Sequence, residues 1–404
     1  MNLSSEIQIK YSNYIVKDTQ WLPGGFQGFA EFMEEAKNNK KQLRVKLGID
    51  PTSKELHFGH TVCLHYLRKF QEDGHIPVLI IGGFTAMVGD PSGRNEARPP
   101  LTHEQVKENA ETYLQQVGKI LDLNKAKIVN NYDWLSKLTA KDLLELAHLT
   151  TVNQLIGKEA FGSRISKNEP LYLHEALYPI LQGYDSKEVK ADIEIGGIDQ
   201  TFNVLFGRHI QKHFGQKEQF VILLPLLVGL DGKKKMSKTF YNHIALNDSP
   251  DQIFGKAMSI PDELIENYLY LITNFSAHEL GSFKTQLAGG QNPMNIKYKL
   301  ANNLVMQLYG SDIASQAEVD FVKQFRENEI PQSVDEFKIT SAVRVADLMF
   351  DAKLVPSKAE AKRLIAGGGV KLKSVKIDDP NFLITDNDKN SVLQIGKRKF
   401  LRIV

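Results

Sequence analysis

From Gln42 to Phe84 the chain reads QLRVKLGIDPTSKELHFGHTVCLHYLRKFQEDGHIPVLIIGGF. Gln42 to Gly48 alternates Leu43, Val45 and Leu47 with Arg44 and Lys46, then runs into Ile49-Asp50-Pro51-Thr52. A two-residue period followed by turn residues predicts a strand that ends in a loop. Phe58 to Asp73 places Val62, Tyr66, Leu67 and Phe70 at helical spacing before Gly74, which predicts a helix and its stop. Pro77 to Phe84 carries Val78, Leu79, Ile80 and Ile81 without interruption, as expected of a strand covered on both faces. Strand, helix and strand in about 45 residues form a βαβ unit, so the fold class is α/β with a parallel sheet.

Outward from this unit, Thr102 to Leu121 predicts a helix. Thr102 and Gln105 make a capping-box pattern, and Val106, Ala110, Leu114, Val117 and Leu121 form an apolar stripe. Ala126–Asn130 and Gln219–Leu224 are further strand candidates. Ser249 to about Phe325 reads as mainly helical. A polar stretch from Arg326 to about Glu336 reads as a linker. The end of the chain forms its own module: a helix, a turn at Pro356-Ser357, a helix, Gly367-Gly368-Gly369 and short strands. The expected domains are 1–229, 230–325 and 340–404, with 326–339 joining the last two.

With 404 residues, 42% hydrophobic and 24% charged, the composition is that of a globular multidomain protein rather than a disordered or membrane one. The longest nearly unbroken apolar stretch, Phe220 to Leu230, contains Pro225 and is too short to cross a bilayer. Met1 to Glu6 has no basic and apolar leader pattern, and Cys63 is the single cysteine. The expectation is a cytoplasmic protein with no membrane partner, no intrachain disulfide and no cysteine-rich zinc site. Charge is uneven. Residues 340–404 hold 13 Lys+Arg against 7 Asp+Glu, a net +6, whereas the preceding residues sum to −4. A basic module on a mildly acidic body points to a polyanionic partner, although charge alone equally describes a solvated face.

Two motifs carry chemistry. His57-Phe58-Gly59-His60 stands where the first strand's loop becomes the first helix. A helix N-terminus presents unpaired N–H groups and partial positive charge, two imidazoles one turn apart can donate to phosphate oxygens, and Gly59 lets a base or ribose approach the backbone. Lys233-Lys234-Lys235-Met236-Ser237-Lys238-Thr239 follows Leu230-Asp231-Gly232. A glycine-started loop bearing several ammonium groups suits a clamp on a triphosphate. Each motif alone has a bland reading, as capping histidines or a solvated turn. Together they match the two ends of one nucleoside triphosphate.

His57-Phe58-Gly59-His60 resembles the HIGH signature, and Lys235-Met236-Ser237-Lys238-Thr239 the KMSKS signature, of class I aminoacyl-tRNA synthetases. Four further stretches narrow the resemblance to the bacterial-type tyrosyl-tRNA synthetase family: Gly48-Ile49-Asp50-Pro51-Thr52, Gly89-Asp90-Pro91-Ser92-Gly93, Tyr178 to Asp185, and Gly196-Gly197-Ile198-Asp199-Gln200. The tail, with Arg344-Val345, Ser357, Glu360-Ala361, Gly367 to Val370 and Gly396 to Phe400, resembles the S4 RNA-binding domain. The resemblance implies a Rossmann-like catalytic domain, a helical domain and a small α+β S4-like domain. It implies tyrosine activation by ATP, with magnesium, followed by transfer of the tyrosyl group to a tRNA(Tyr) 3′ end. A homodimer also follows from it, and nothing in the sequence marks a dedicated metal cage.

On the same basis Thr52 and His57 are expected at the γ-phosphate side and His60 at the ribose and triphosphate. Lys235, Lys238 and Thr239 are expected to close over pyrophosphate with Arg94 and Arg98. Asp50, Gly59 and Asp199 complete the ATP site, Asp199 at the ribose hydroxyls. For tyrosine, the resemblance assigns Asp90, Tyr178 and Gln182 to the α-ammonium and Gln200 to the vicinity of the carboxylate. Asp185, three residues beyond Gln182 and on the same helical face, is expected to accept from the phenol O–H. Lys358, Lys362, Arg363, Lys397, Arg398 and Lys399 are expected on tRNA phosphates. Three positions depart from the family pattern: Lys46, where one branch has a substrate-touching tyrosine and another has lysine, Ile198 and Ala86. No phenol contact is carried onto Lys46. A metabolite nucleotidyltransferase sharing the HxGH fold would leave the lysine loop and basic tail unexplained. A synthetase-like RNA-binding protein without catalysis predicts decay at the signature residues, which are present. Tryptophanyl-tRNA synthetase fits the Tyr178–Asp185 stretch and the tail less well.

Overall fold

A computed structural model describes residues 17–92, 101–157, 159–326, 334–339, 342–373, 375–396 and 399–404. The described chain divides into two compact units, residues 1–249 with 256–310, and residues 250–255 with 311–404.

The first unit is built on a six-stranded sheet of β1 (Gln20–Leu22), β2 (Arg44–Ile49), β3 (Ile76–Ile81), β4 (Lys127–Asn130), β5 (Ile193–Gly197) and β6 (Phe220–Leu224), in the order β1-β6-β5-β2-β3-β4. All neighbours run parallel except β1, which pairs antiparallel with β6. That edge strand, only three residues long, leaves no periodic signal in the sequence. The predicted βαβ unit is β2, α2 and β3, where α1 is Gly25–Asn38 and α2 is Phe58–Glu72. Val62, Tyr66, Leu67 and Phe70 of α2 are all buried, so the helical spacing marks a core face. Val78, Leu79, Ile80 and Ile81 are likewise buried. Pro77 is tolerated because it pairs with Val45 of β2 at a level that the β4 pairing, which starts at Val78, does not reach.

The helix expected over 102–121 is α3 (His103–Val117). The Thr102–Gln105 reciprocal cap is present, but Gly118 ends the helix and Ile120 and Leu121 finish in a tighter turn onto the Val117 carbonyl. Two further helices matter to the site: α4 (Leu173–Val189), and α5 (Thr201–His213) between β5 and β6. The chain runs from β2 toward β4 on one side and has β5 and β6 on the other. The sheet therefore changes direction between β2 and β5, and the crevice at their C-terminal ends is where such a sheet receives ligands.

The second unit ends in a five-stranded sheet, order β10-β9-β12-β13-β7, and a pair of strands β8 (Val343–Arg344) and β11 (Leu383–Ile384). Its sheet strands are β7 (Asp335–Phe337), β9 (Val370–Leu372), β10 (Val375–Ile377), β12 (Val392–Ile395) and β13 (Lys399–Ile403). Helices α6 (Val345–Asp351) and α7 (Lys358–Ala366) pack on them around buried Val345, Leu348, Ile365, Leu393 and Ile403. One correction falls here. Asp335–Phe337, read from polarity as linker or its margin, is an edge strand parallel to β13. Three residues are too few for alternation to show.

Candidate active site

α2 begins at His57, whose backbone is extended. His57 Nδ1 accepts from the Gly59 N–H at 3.1 Å, and His60 Nδ1 accepts from the His57 N–H at 3.2 Å. Each ring is thus used as an acceptor on Nδ1, which assigns the neutral tautomer and leaves Nε2–H as a donor. The rings lie 3.9 Å apart between centroids. Burial, reinforced by His60, His243, Lys238 and Lys235, holds the His57 pKa far below the ordinary imidazole range. His57 therefore offers a neutral N–H to an anion, not a cation. A Cβ on Gly59 would stand 2.9 Å from the His57 ring and 3.5 Å from Met236. The missing side chain makes room first for the motif's own imidazole, a role beyond the ligand approach expected from sequence.

The lysine turn is organised by two polar side chains. Asp231 accepts from the backbone N–H groups of Lys233 and Lys234, and Asn242 bridges Asp231, the Lys235 carbonyl and the Ser237 N–H. Gly232, at φ +72°, supplies the left-handed turn that starts it. Met236 is buried and its N–H donates to the Leu227 carbonyl at 2.7 Å, which fastens the turn to the body. Lys235 Nζ meets Asp199 at 2.9 Å. Lys238 Nζ donates to Ser53 Oγ at 3.0 Å and lies 3.6 Å from Glu55. The Phe58 N–H donates to the Ile244 carbonyl just beyond the turn, so the histidine motif is hydrogen-bonded to the chain that follows the lysine turn.

Both segments open onto one cavity of about 740 Å³ at the β2–β5 crevice. Of the residues singled out from sequence, Asp50, Thr52, His57, Gly59, His60, Asp199, Lys235 and Thr239 line it together with Asp90, Tyr178, Gln182, Asp185 and Gln200. Lys238 stands beside Ser53 and Glu55 rather than among the lining residues. Arg94, Arg98, Lys397 and Arg398 lie outside the described residues. Ala86 is buried, whereas Ile198 is exposed.

Asp50 accepts from Thr85 Oγ1 at 2.7 Å and from Tyr178 O–H at 2.8 Å, which ties the loop after β2 to α4. Gln200 Nε2 donates to Asp90 at 2.7 Å, and Asn203 Nδ2 donates to Gln182, Gln200 and Ser92. Asp90 and Gln182 are thereby held in one polar network before any ligand arrives. Asp185 is buried on α4 and accepts from Trp134 Nε1 at 2.9 Å and Asn131 Nδ2 at 3.1 Å. Asn131, Trp134, Asn203 and Thr85 were not singled out from sequence. Asn131 follows β4 at the same end of the sheet as Asp50, and that strand-end position is the signal that could have marked it.

Burial pushes the Asp185 carboxyl from its ordinary 3.8 up to about 7, against the pull of Lys46, Asn131 and Trp134. Between those values the folded chain holds the proton and the unfolded chain does not, so stability falls as pH rises through the window. The melting temperature of Asp185→Asn relative to wild type is therefore expected to climb between about pH 4 and 7. The wild type loses roughly 1.4 kcal/mol for each pH unit crossed there, and the amide does not. A difference independent of pH contradicts this.

In the second unit, the predicted tail cations differ in engagement. Lys362 and Arg363 are exposed on α7; Arg363 pairs with Glu360 and Lys358 with Asp347, each at 2.6 Å. Lys399 donates to the Leu354 carbonyl, so it braces the small sheet as well as standing at its surface.

The chain matches the sequence family described as tRNA synthetases class I (W and Y) over residues 37–326, and the S4 domain over residues 343–390. It is 44% identical to the tyrosine–tRNA ligase of Carboxydothermus hydrogenoformans, covering 93% of each chain. It is 45% identical to that of Haemophilus influenzae, covering 93% of this chain and 92% of the other. In fold it is similar to the crystal structure of tyrosyl-tRNA synthetase complexed with L-tyrosine from Archaeoglobus fulgidus, with a TM-score of 0.61 at 21% identity, covering 77% of this chain and 99% of that one. The fold and the matched sequence are those of a class I aminoacyl-tRNA synthetase of the tryptophan and tyrosine group. Within that class, the chain belongs to the tyrosine–tRNA ligase family.

Proposed function

We propose that the chain joins L-tyrosine to tRNA(Tyr) in two steps, and that the ends of its cavity divide the work. In the first step the tyrosine carboxylate attacks the α-phosphorus of ATP, a P–O bond forms, the bond to pyrophosphate breaks, and negative charge gathers on the leaving group. Such a reaction needs positioning and charge stabilisation more than proton transfer. Thr52, His57 and His60 donate to the triphosphate, with Asp50 and Gly59 shaping that end. Lys235, Lys238 and Thr239 close on pyrophosphate with Arg94 and Arg98, and Asp199 exchanges Lys235 for the ribose hydroxyls. Asp90, Tyr178 and Gln182 receive the α-ammonium, Gln200 lies by the carboxylate, and Asp185 accepts the phenol O–H. ATP enters as its magnesium complex, a substrate.

In the second step the tRNA 3′ end attacks the tyrosyl carbonyl and AMP leaves. The catalytic body 1–229 and the lysine-loop and helical segment 230–325 serve the chemistry. Residues 340–404, with the edge strand Asp335–Phe337 completing their sheet, hold the tRNA arm through Lys358, Lys362, Arg363, Lys397, Arg398 and Lys399. A cytoplasmic homodimer completes the reading. The observation that carries it is the single cavity lined by His57, His60, Lys235 and Asp185 together.

Aminoacylation of tRNA(Tyr) tests it. Truncation before Thr340 is expected to spare tyrosine-dependent pyrophosphate exchange and to reduce charging by at least about tenfold, since several phosphate contacts go with the tail. Charging by the full chain is expected to weaken steeply with salt. Equal loss of exchange and charging on truncation would make the tail a folding element only.

A further inference from the structure

Lys46 is a charged residue within the alternating stretch read as a strand, yet it is fully buried. Register sets it opposite Glu194 of β5, and the Nζ–Oε1 distance is 2.8 Å. The ammonium also donates to Ser186 Oγ at 2.7 Å and to the Gln182 carbonyl at 3.1 Å. Glu194 in turn accepts from Ser186 Oγ and Gln219 Nε2. All three Lys46 protons therefore have acceptors.

Stability does not explain such a pair, because well-packed apolar residues of similar volume often do as well or better. Its place does. Gln182 and Ser186 stand on the same turn of α4 as Asp185, so the ammonium ties that turn to β2. Glu194 lines the cavity beside Asp185, whereas Lys46 lies behind the lining. The groups facing Asp185 are Lys46 from β2, Glu194 from β5, and the neutral donors Asn131 and Trp134 from the segment after β4. Lys46 is the one cation among them. Its pull on the carboxylate outweighs the opposing push of Glu194.

We infer that Lys46 is a positioning residue for the phenol end of the cavity, fixing where the Asp185 carboxylate stands and setting a positive charge behind that turn of α4, without itself touching substrate. The inference rests on Asp185 being the phenol acceptor. It gives this chain a different solution from a tyrosine at the same position: a buried cation tunes the acceptor from behind.

The test uses the full chain carrying Lys46→Met with Glu194→Gln, which removes both charges and leaves no unpaired buried ion. The acid limb of tyrosine kcat/KM in pyrophosphate exchange, read across about pH 5 to 9, reports Asp185. Trp134 emission in a Trp21→Phe background reports the same carboxyl without activity, because its indole N–H donates to Asp185. Both midpoints are expected to rise by about one pH unit, so that tyrosine kcat/KM falls about fivefold at pH 7, approaches a tenfold loss well below that, and recovers in alkali. Midpoints unchanged in the variant, with rates either intact or lowered equally at every pH, would overturn the inference. Intact tyrosine-over-phenylalanine preference in Asp185→Asn strikes the phenol reading instead, and the Trp134 titration still decides the charge role of Lys46.

Discussion

Replacing Lys238 with alanine is expected to slow tyrosyl-adenylate formation about 10²–10³-fold, the usual loss when one preorganised charge stabiliser is removed, with tyrosine affinity unchanged. The reason lies in when the ammonium acts. Lys238 rests against Ser53 Oγ and Glu55, and burial lowers its pKa below the ordinary lysine value while Glu55 opposes the shift. Neither partner belongs to the phenol or ammonium end of the cavity. A group that gains a strong anionic partner only as pyrophosphate departs lowers the barrier without strengthening the ground state, so its loss falls on the rate constant. Pre-steady-state pyrophosphate release gives that rate, and equilibrium dialysis gives tyrosine affinity. Release at the wild-type rate would remove Lys238 from the clamp.

Asp185→Asn is expected to collapse the preference for tyrosine over phenylalanine by about 10²-fold or more. A buried site built to bond a substrate hydroxyl rejects the analogue lacking it by about 10⁴–10⁵, a magnitude whose standard example is the tyrosine-activating enzymes themselves. Two neutral donors already occupy Asp185, one on each oxygen. The carboxylate keeps spare acceptor capacity on both oxygens for a phenol. An amide replaces one of those oxygens with a donor that faces Asn131 or Trp134, so acceptor strength and alignment are lost together. The ratio of kcat/KM for the two amino acids in pyrophosphate exchange measures the effect, and an unchanged ratio would place the phenol elsewhere.

What was legible in the sequence was whatever repeats or has few alternatives. The β2–α2–β3 unit shows as alternation, then helical spacing, then an unbroken apolar run, and each pattern has a direct packing cause. His57, His60 and the lysine turn show as motifs because phosphate chemistry restricts which residues serve. Short pieces stayed hidden: β1 and β7 have three residues each and owe their existence to a neighbouring strand. Residues that support the site from behind were also hidden. Asn131 and Trp134 gain meaning only when the fold brings the end of β4 against α4. Lys46 is only the charged half of an alternation until Glu194, nearly 150 positions later in the chain, comes into register beside it. The space at Gly59 likewise belongs first to the His57 ring, a fact of rotamer and not of spacing.

In the proposed reading, one crevice joins a triphosphate clamp to a slot for a phenol. Amino-acid-dependent exchange of labelled pyrophosphate into ATP, with the twenty amino acids supplied singly to the full chain, tests it most directly. Rapid exchange is expected with tyrosine, and at most trace exchange with phenylalanine, tryptophan or any other. Exchange that does not require tyrosine, or that another amino acid supports equally well, would contradict that reading.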